Sequence, residues 1–148
     1  MASALSAGNV CKALSIVSAL YLGSGLVNIF AGMPVPRIVA LVYAACFVAG
    51  LFAVAAAFMW SPGTFRTLAL WSVGPAVPVF GTESWQVAFF GLLNLPISFY
   101  AGSGHGRVFA GLNLVPGLLF ALLAVYSTKL VKAAGPVRQR ELPPGESS

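Results

Sequence analysis

The feature that most constrains the fold is an uninterrupted apolar run, residues 38–60, which contains no charged residue and no proline. A helix of this length reaches about 34 Å, enough to cross the roughly 30 Å hydrocarbon core of a bilayer with some tilt. Trp60 ends the run as an interfacial aromatic residue, and Pro62 and Gly63 break the chain after it. The run therefore predicts a transmembrane helix.

The composition agrees with a membrane location. Hydrophobic residues make up 59% of the 148 residues and charged residues only 7%, whereas about a quarter of a soluble domain is charged. A soluble globule with so few charges could not cover its surface. The net charge of +5 does not indicate nucleic-acid binding, because the basic residues stand singly beside apolar runs or lie in the C-terminal tail.

Two further runs, 13–31 and 108–128, predict membrane-spanning helices. The first ends in a turn that holds Pro34 and Pro36, and two prolines in three residues cannot continue a helix. The last contains Pro116, which a membrane helix tolerates as a kink when neighbouring helices satisfy the freed carbonyl.

The apolar residues 67–101 are harder to assign. Their later part, 85–101, predicts a short span with aromatic residues near its ends. Their earlier part, 67–80, holds Gly74, Pro75 and Pro78 near its centre, which favours a broken or re-entrant segment over a clean span. We therefore predict an all-α fold, a polytopic transmembrane helical bundle of four spans with a short broken segment. Five spans are the alternative.

The distribution of basic residues favours four spans. That topology leaves only Arg37 and Arg107 outside the cell and places the other basic residues in the cytoplasm: Lys12, Arg66, Lys129, Lys132, Arg138 and Arg140. Both topologies put the basic C-terminal tail in the cytoplasm. The predicted organisation is a short N-terminal segment, 1–12, a helical bundle, 13–132, and a disordered polar tail, 133–148.

Small residues form a stripe along the second span. Ala45, Ala49, Ala53 and Ala57 recur at four-residue intervals, so they share one helix face. Membrane helices associate through close packing at such small residues. The stripe predicts a helix-packing interface, either inside one protomer's bundle or between subunits.

Three asparagines, Asn28, Asn94 and Asn113, stand in apolar surroundings. An amide that faces lipid would have no hydrogen-bond partner, so these side chains are expected to point into the bundle. They predict either interhelical hydrogen bonds that hold the helices together or a polar site between helices.

Three residues of the predicted loops are candidates for binding an ion or a ligand. His105 and Arg107 flank a glycine at a predicted helix start, where they could hold an anion, although a solvated loop explains them as well. Glu83 is the one acidic residue outside the tail, and within the membrane it would be a candidate for protons or cations. A lone histidine without thiol or carboxylate companions predicts no metal site.

These observations favour a non-enzymatic protein without a cofactor. No nucleophile motif or phosphate-binding loop is present, and the few titratable side chains lie on different loops. We expect an accessory or assembly subunit whose partners are the lipid bilayer and other membrane-protein subunits, or copies of itself. The alternative is a small-molecule or ion transporter, or a pore, with a polar site between helices.

Overall fold

The computed structural model describes residues 2–32, 35–59, 61–82, 86–87, 94–102 and 107–140. Three helices come first in the described part of the chain, four strands follow, and a fourth helix comes last. In order they are α1 (Ala2–Phe30), α2 (Arg37–Phe58), α3 (Pro62–Val73), a 3-10 turn (Gly74–Ala76), β1 (Pro78–Thr82), β2 (Gln86–Val87), β3 (Pro96–Ala101), β4 (Val108–Asn113) and α4 (Leu114–Arg140).

Three of the described helices are long and apolar enough to cross a membrane, namely Ser6–Phe30, Arg37–Phe58 and Leu114–Gly135. This arrangement is compatible with an integral membrane protein. Helix α3 has 12 residues, and its length of about 18 Å falls short of a full crossing.

The fold is mostly helical but not all-α, and the four-span arrangement is not confirmed. Within the predicted span 85–101, the described residues form β2 and β3 rather than a helix. The predicted span 108–128 starts as strand β4 and becomes helical only at Leu114. Proline is consistent with part of the difference, because it lacks an N–H donor and is confined to the first residue or the edge of a strand, and both β1 and β3 begin at a proline.

Helices α1 and α2 pack antiparallel. The Lys12 ammonium lies 5.1 Å from the centroid of the Phe58 ring, and Gly23 faces Phe47, whose ring a Cβ at this glycine would approach to 3.1 Å. Farther along, a Cβ on Gly50 would come within 3.3 Å of Leu22. Small residues therefore allow the two helices to approach closely, as expected for packing inside a membrane.

Helices α3 and α4 complete the bundle. A Cβ on Gly74, just after α3, would lie 3.5 Å from the Phe120 ring, so α3 ends beside the first turns of α4. Because α3 also packs along α4, the later turns of α4 lie beside the start of α3. One end of the bundle therefore carries most of the basic residues whose side chains are described: Lys12, Arg66, Lys129 and Lys132.

The four strands form one antiparallel sheet in the order β2-β1-β4-β3. Strand β4 is central: its Ala110 lies opposite Phe80 of β1 and opposite Phe99 of β3. Because β1 follows α3 and β4 leads directly into α4, the sheet lies at the end of the bundle opposite Lys12 and Arg66.

Candidate polar site between the bundle and the sheet

Asn113 lies where the sheet joins the bundle. It is the last residue of β4, directly before α4, and it is only 2% exposed. A buried amide needs partners for both its oxygen and its nitrogen. Its surroundings therefore show how the two parts of the molecule are connected.

The side chain of Asn113 belongs to a cluster with Tyr21 and Asn94. Its Nδ2 donates to Oδ1 of Asn94 at 2.8 Å and to the Tyr21 hydroxyl at 3.3 Å. The Tyr21 hydroxyl donates to the same Asn94 oxygen at 3.3 Å. The three side chains form a closed triangle that links α1 to the residue before α4 and to the residues before β3.

Backbone groups extend this cluster into the sheet. The Asn113 oxygen Oδ1 accepts from the Leu95 backbone N–H at 3.3 Å, and the Asn113 N–H donates to the Val77 carbonyl at 2.8 Å. The Leu114 N–H donates to the Leu95 carbonyl at 3.0 Å. One residue thus holds together the ends of three chain segments, which indicates a structural role for its amide.

The two amides of the cluster contribute hydrogen bonding and no acid–base chemistry. An amide carries no titratable proton. The Nδ2 group of Asn113 already donates hydrogen bonds to the Tyr21 hydroxyl and to Oδ1 of Asn94. A ligand would have to replace one of these internal bonds. Among the residues described, no group of three or more His, Cys, Asp or Glu side chains could hold a metal ion.

Asn28, the third predicted asparagine, lies apart from the cluster. It is half-buried on α1, two turns beyond Tyr21, which places it about 10 Å farther along the helix axis. No hydrogen bond between described residues joins it to Asn94 or Asn113. The structure therefore brings two of the three asparagines together and separates the third.

The alanine stripe of α2 divides into two parts. Ala49, Ala53 and Ala57 are buried against the protein's own helices, with Ala53 only 2% exposed, whereas Ala45 is exposed. Gly50 beside the stripe faces both α1 and α3, since a Cβ there would lie 3.8 Å from Cβ of Ser72. Most of the stripe therefore serves packing within this chain.

The loop candidates are only partly described. Arg107 is exposed just before β4. Glu83 and His105 lie outside the described residues, so a shared anion site of His105 and Arg107 stays a prediction.

The sequence interpretation did not include Tyr21. A tyrosine inside an apolar membrane span was a usable signal, because its hydroxyl needs a hydrogen-bond partner where no water is present. The backbone groups of Val77 and Leu95 gave no such signal, since their contacts depend on the sheet.

No protein-family model matches this chain, and comparisons with curated proteins and with solved structures give no significant match.

Proposed function

We propose that this chain is a non-enzymatic integral membrane protein that acts by association, as an accessory or assembly subunit of a larger membrane complex. The observation that carries the proposal is the outer edge of β3. This strand ends the described sheet on one side, so β4 is the one described strand that pairs with it.

The register identifies which backbone groups line this edge. The Leu114 N–H donates to the Leu95 carbonyl, and backbone groups of successive strand residues alternate between the two sides of the strand. Ile97, Phe99 and Ala101 therefore direct their N–H and carbonyl groups toward β4. Ser98 and Tyr100 direct theirs away from the sheet, toward the outer edge.

Such an edge favours the addition of a strand from another protein. Its side chains include no charge, and Pro96 at its start is the one residue that lacks an N–H donor. Natural proteins block exposed edges with charged residues, prolines or bulges, and lipid tails cannot satisfy backbone groups. A partner strand would pair with the Ser98 and Tyr100 groups and gain affinity through main-chain hydrogen bonds.

The charges support an orientation for this subunit. Lys12, Arg66 and the two lysines of α4 lie at one end of the bundle, and basic residues at membrane ends face the cytoplasm in most proteins. We place this end, with the basic tail, in the cytoplasm. The sheet then lies toward the opposite membrane surface.

The substitution Ser98→Pro tests the edge, because it removes the outward N–H and leaves the hydrogen bonds between β3 and β4 intact. Ser98→Ala is the matched control, since it removes the hydroxyl and keeps the N–H. After gentle detergent extraction, we expect the wild type and Ser98→Ala to migrate as a complex on blue-native gels. We expect Ser98→Pro to migrate mainly as the free chain.

Thermal unfolding in detergent checks that Ser98→Pro remains folded. If both variants keep the complex equally, the β3 edge is not the contact. If the wild type migrates only as a monomer with no companion, association as the function is wrong.

A second candidate, a small transporter or pore, rests on the Tyr21–Asn94–Asn113 cluster between helix α1 and the sheet. Exchange of its internal hydrogen bonds for those of a polar solute would give a transient binding site. Purified protein in liposomes should then move a solute at a rate that Asn94→Leu lowers at least tenfold, while Asn28→Leu leaves it unchanged. Equal rates for the two variants would exclude this cluster as the pathway.

A further inference from the structure

The two faces of the sheet differ in composition. Side chains alternate along each strand, and the register assigns nine residues to one face, which we call the apolar sheet face. Its members are Pro78, Phe80, Thr82, Ile97, Phe99, Ala101, Val108, Ala110 and Leu112. Thr82 is the single polar residue among them, whereas the opposite face carries Ser98, Tyr100 and Asn113.

Most of the apolar sheet face is exposed among the residues that the structure describes. All of its members except Thr82 are exposed, and Phe99, at 77% exposure, presents roughly 150 Å² because a whole aromatic side chain offers about 150–250 Å². The opposite face is covered in part, since Val79 and Asn113 are buried. Contiguous apolar surface of this extent marks contact with another apolar phase or a partner.

Exposed apolar residues occur on β4 and again along α4, on either side of the buried Asn113. Leu112 of β4 is followed by Leu114, Leu118 and Val125 of α4, all of them exposed large hydrophobic residues. These α4 residues lie on a helix that is long and apolar enough to cross a membrane, where exposed leucines contact lipid tails. The apolar sheet face therefore extends the lipid-contacting surface of α4.

We propose that the apolar sheet face rests on the lipid acyl chains of the bilayer that the helices cross. The strand ends near Asn113 lie at the depth of Tyr21, and the opposite ends, near Ala101 and Val108, lie toward the headgroups. Full submersion would expose to lipid tails the outer backbone groups of β3 for which the described strands offer no partner, and lipid tails cannot satisfy such groups. The contact of this face with acyl chains does not depend on the partner proposed for the edge of β3, whereas the depth of that edge does, because a partner strand would pair its backbone groups.

The charge beside the sheet agrees with this depth. Arg107 is exposed and directly precedes Val108, the first residue of β4. A guanidinium at this position reaches lipid phosphates while its aliphatic stem stays on the apolar side. Tyr100, next to Phe99 but on the opposite face, carries a hydroxyl suited to the headgroup layer.

Spin labels on neighbouring residues of β3 test the proposal. Phe99→Cys places a label on the apolar sheet face, and Tyr100→Cys places one on the opposite face at a similarly exposed position, 70% against 77%. The labelled proteins are reconstituted into phosphatidylcholine liposomes. Collision with oxygen, which concentrates among acyl chains, is compared with collision with a water-soluble nickel complex.

We expect the oxygen-to-nickel collision ratio to be high at Phe99→Cys and to fall severalfold at Tyr100→Cys. A low ratio at both positions would place the face in water, and little collision with either reagent at Phe99→Cys would place it under a protein partner. A high ratio at both would mean that the sheet is fully submerged. Each of these three results overturns the proposal.

Two controls keep the outcome readable. Ala110→Cys lies on the same face of the central strand, directly opposite Phe99, and it should repeat the Phe99→Cys result if that variant fails to fold. The wild-type protein, labelled in parallel, measures reaction at Cys11 and Cys46, both of which are buried.

Discussion

Gly50 in the helical bundle and Phe99 in the sheet represent two ways in which this chain uses apolar sequence. At Gly50 the absence of a side chain lets α1, α2 and α3 meet, with Leu22 and Ser72 close by. At Phe99 a large ring stands exposed on the sheet surface. Small residues in the bundle thus pack against neighbouring helices of the same chain, whereas large residues of the sheet are exposed on its surface. The comparison shows that apolar residues serve different purposes in the two regions: small ones allow helices to pack closely, and large ones form an exposed surface.

The largest effect is expected at Gly111, where the sheet also needs a small residue. A Cβ on Gly111 of β4 would overlap the backbone carbonyl of Ile97 in β3, and a backbone atom cannot move aside as a side chain does. We expect Gly111→Ala to lower the free energy of unfolding by about 3 kcal/mol. Denaturant unfolding in detergent micelles measures this.

Gly63→Ala is the matched control, because nothing lies within 4 Å of a Cβ at this position in the first turn of α3. It should be neutral or stabilising by up to about 1 kcal/mol. Equal effects of the two substitutions would contradict the close pairing of β3 with β4.

The next effect concerns the alanine stripe. Ala53→Leu inserts a large side chain into the packed bundle and should lower the free energy of unfolding by about 2 kcal/mol. Ala45→Leu, on the same helix but exposed, should change it by less than about 0.5 kcal/mol. If Ala45→Leu instead splits a complex on native gels without affecting stability, the exposed end of the stripe is a subunit contact.

A smaller effect is expected at the polar cluster that joins the two regions. Asn113→Leu removes the hydrogen bonds to Tyr21, Asn94 and the Leu95 N–H, and should cost about 1 kcal/mol. Asn28→Leu, outside the cluster, should cost close to nothing. Denaturant unfolding of both variants measures these losses. A larger loss of unfolding free energy for Asn28→Leu than for Asn113→Leu would contradict the structural role of the cluster.

The smallest effect is expected at the basic end of the bundle. The Lys12 ammonium stacks over the Phe58 ring at 5.1 Å, so Phe58→Leu keeps an apolar side chain but removes the ring. A loss of about 0.5 kcal/mol is expected. Phe30→Leu, also exposed but at the other end of α1, is the control and should show no loss.

The helices were more accessible to sequence reasoning than the sheet, for a physical reason. Long apolar runs such as 38–60 predict membrane helices by length alone, and α2 occupies nearly the same residues. A strand reveals itself by alternation of polar and apolar residues. Strand β3 reads Pro96-Ile97-Ser98-Phe99-Tyr100-Ala101, with only Ser98 breaking the run, so it resembles a short span.

Only part of the candidate site could be predicted from the sequence. Apolar surroundings suggested that Asn94 and Asn113 point inward, and the structure brings them into contact. The separation of Asn28 could not be predicted, because it depends on which turn of α1 faces the sheet. Pro96, the first residue of β3, was the available signal against a helix through residues 85–101, because a proline interrupts a helix and is tolerated at the start of a strand.

The central claim is that β3 and β4 form a sheet outside the helical bundle rather than two further membrane helices. Tyr100 and Phe109 lie opposite each other in register, with ring centroids 5.7 Å apart. Opposed strand residues fit the geometry of a disulfide, so Tyr100→Cys with Phe109→Cys should form an intramolecular disulfide under mild oxidation. Tyr100→Cys with Ala110→Cys, on opposite faces, should not. Efficient cross-linking of the first pair alone is the predicted result; equal cross-linking of both pairs, or of neither, would contradict the account.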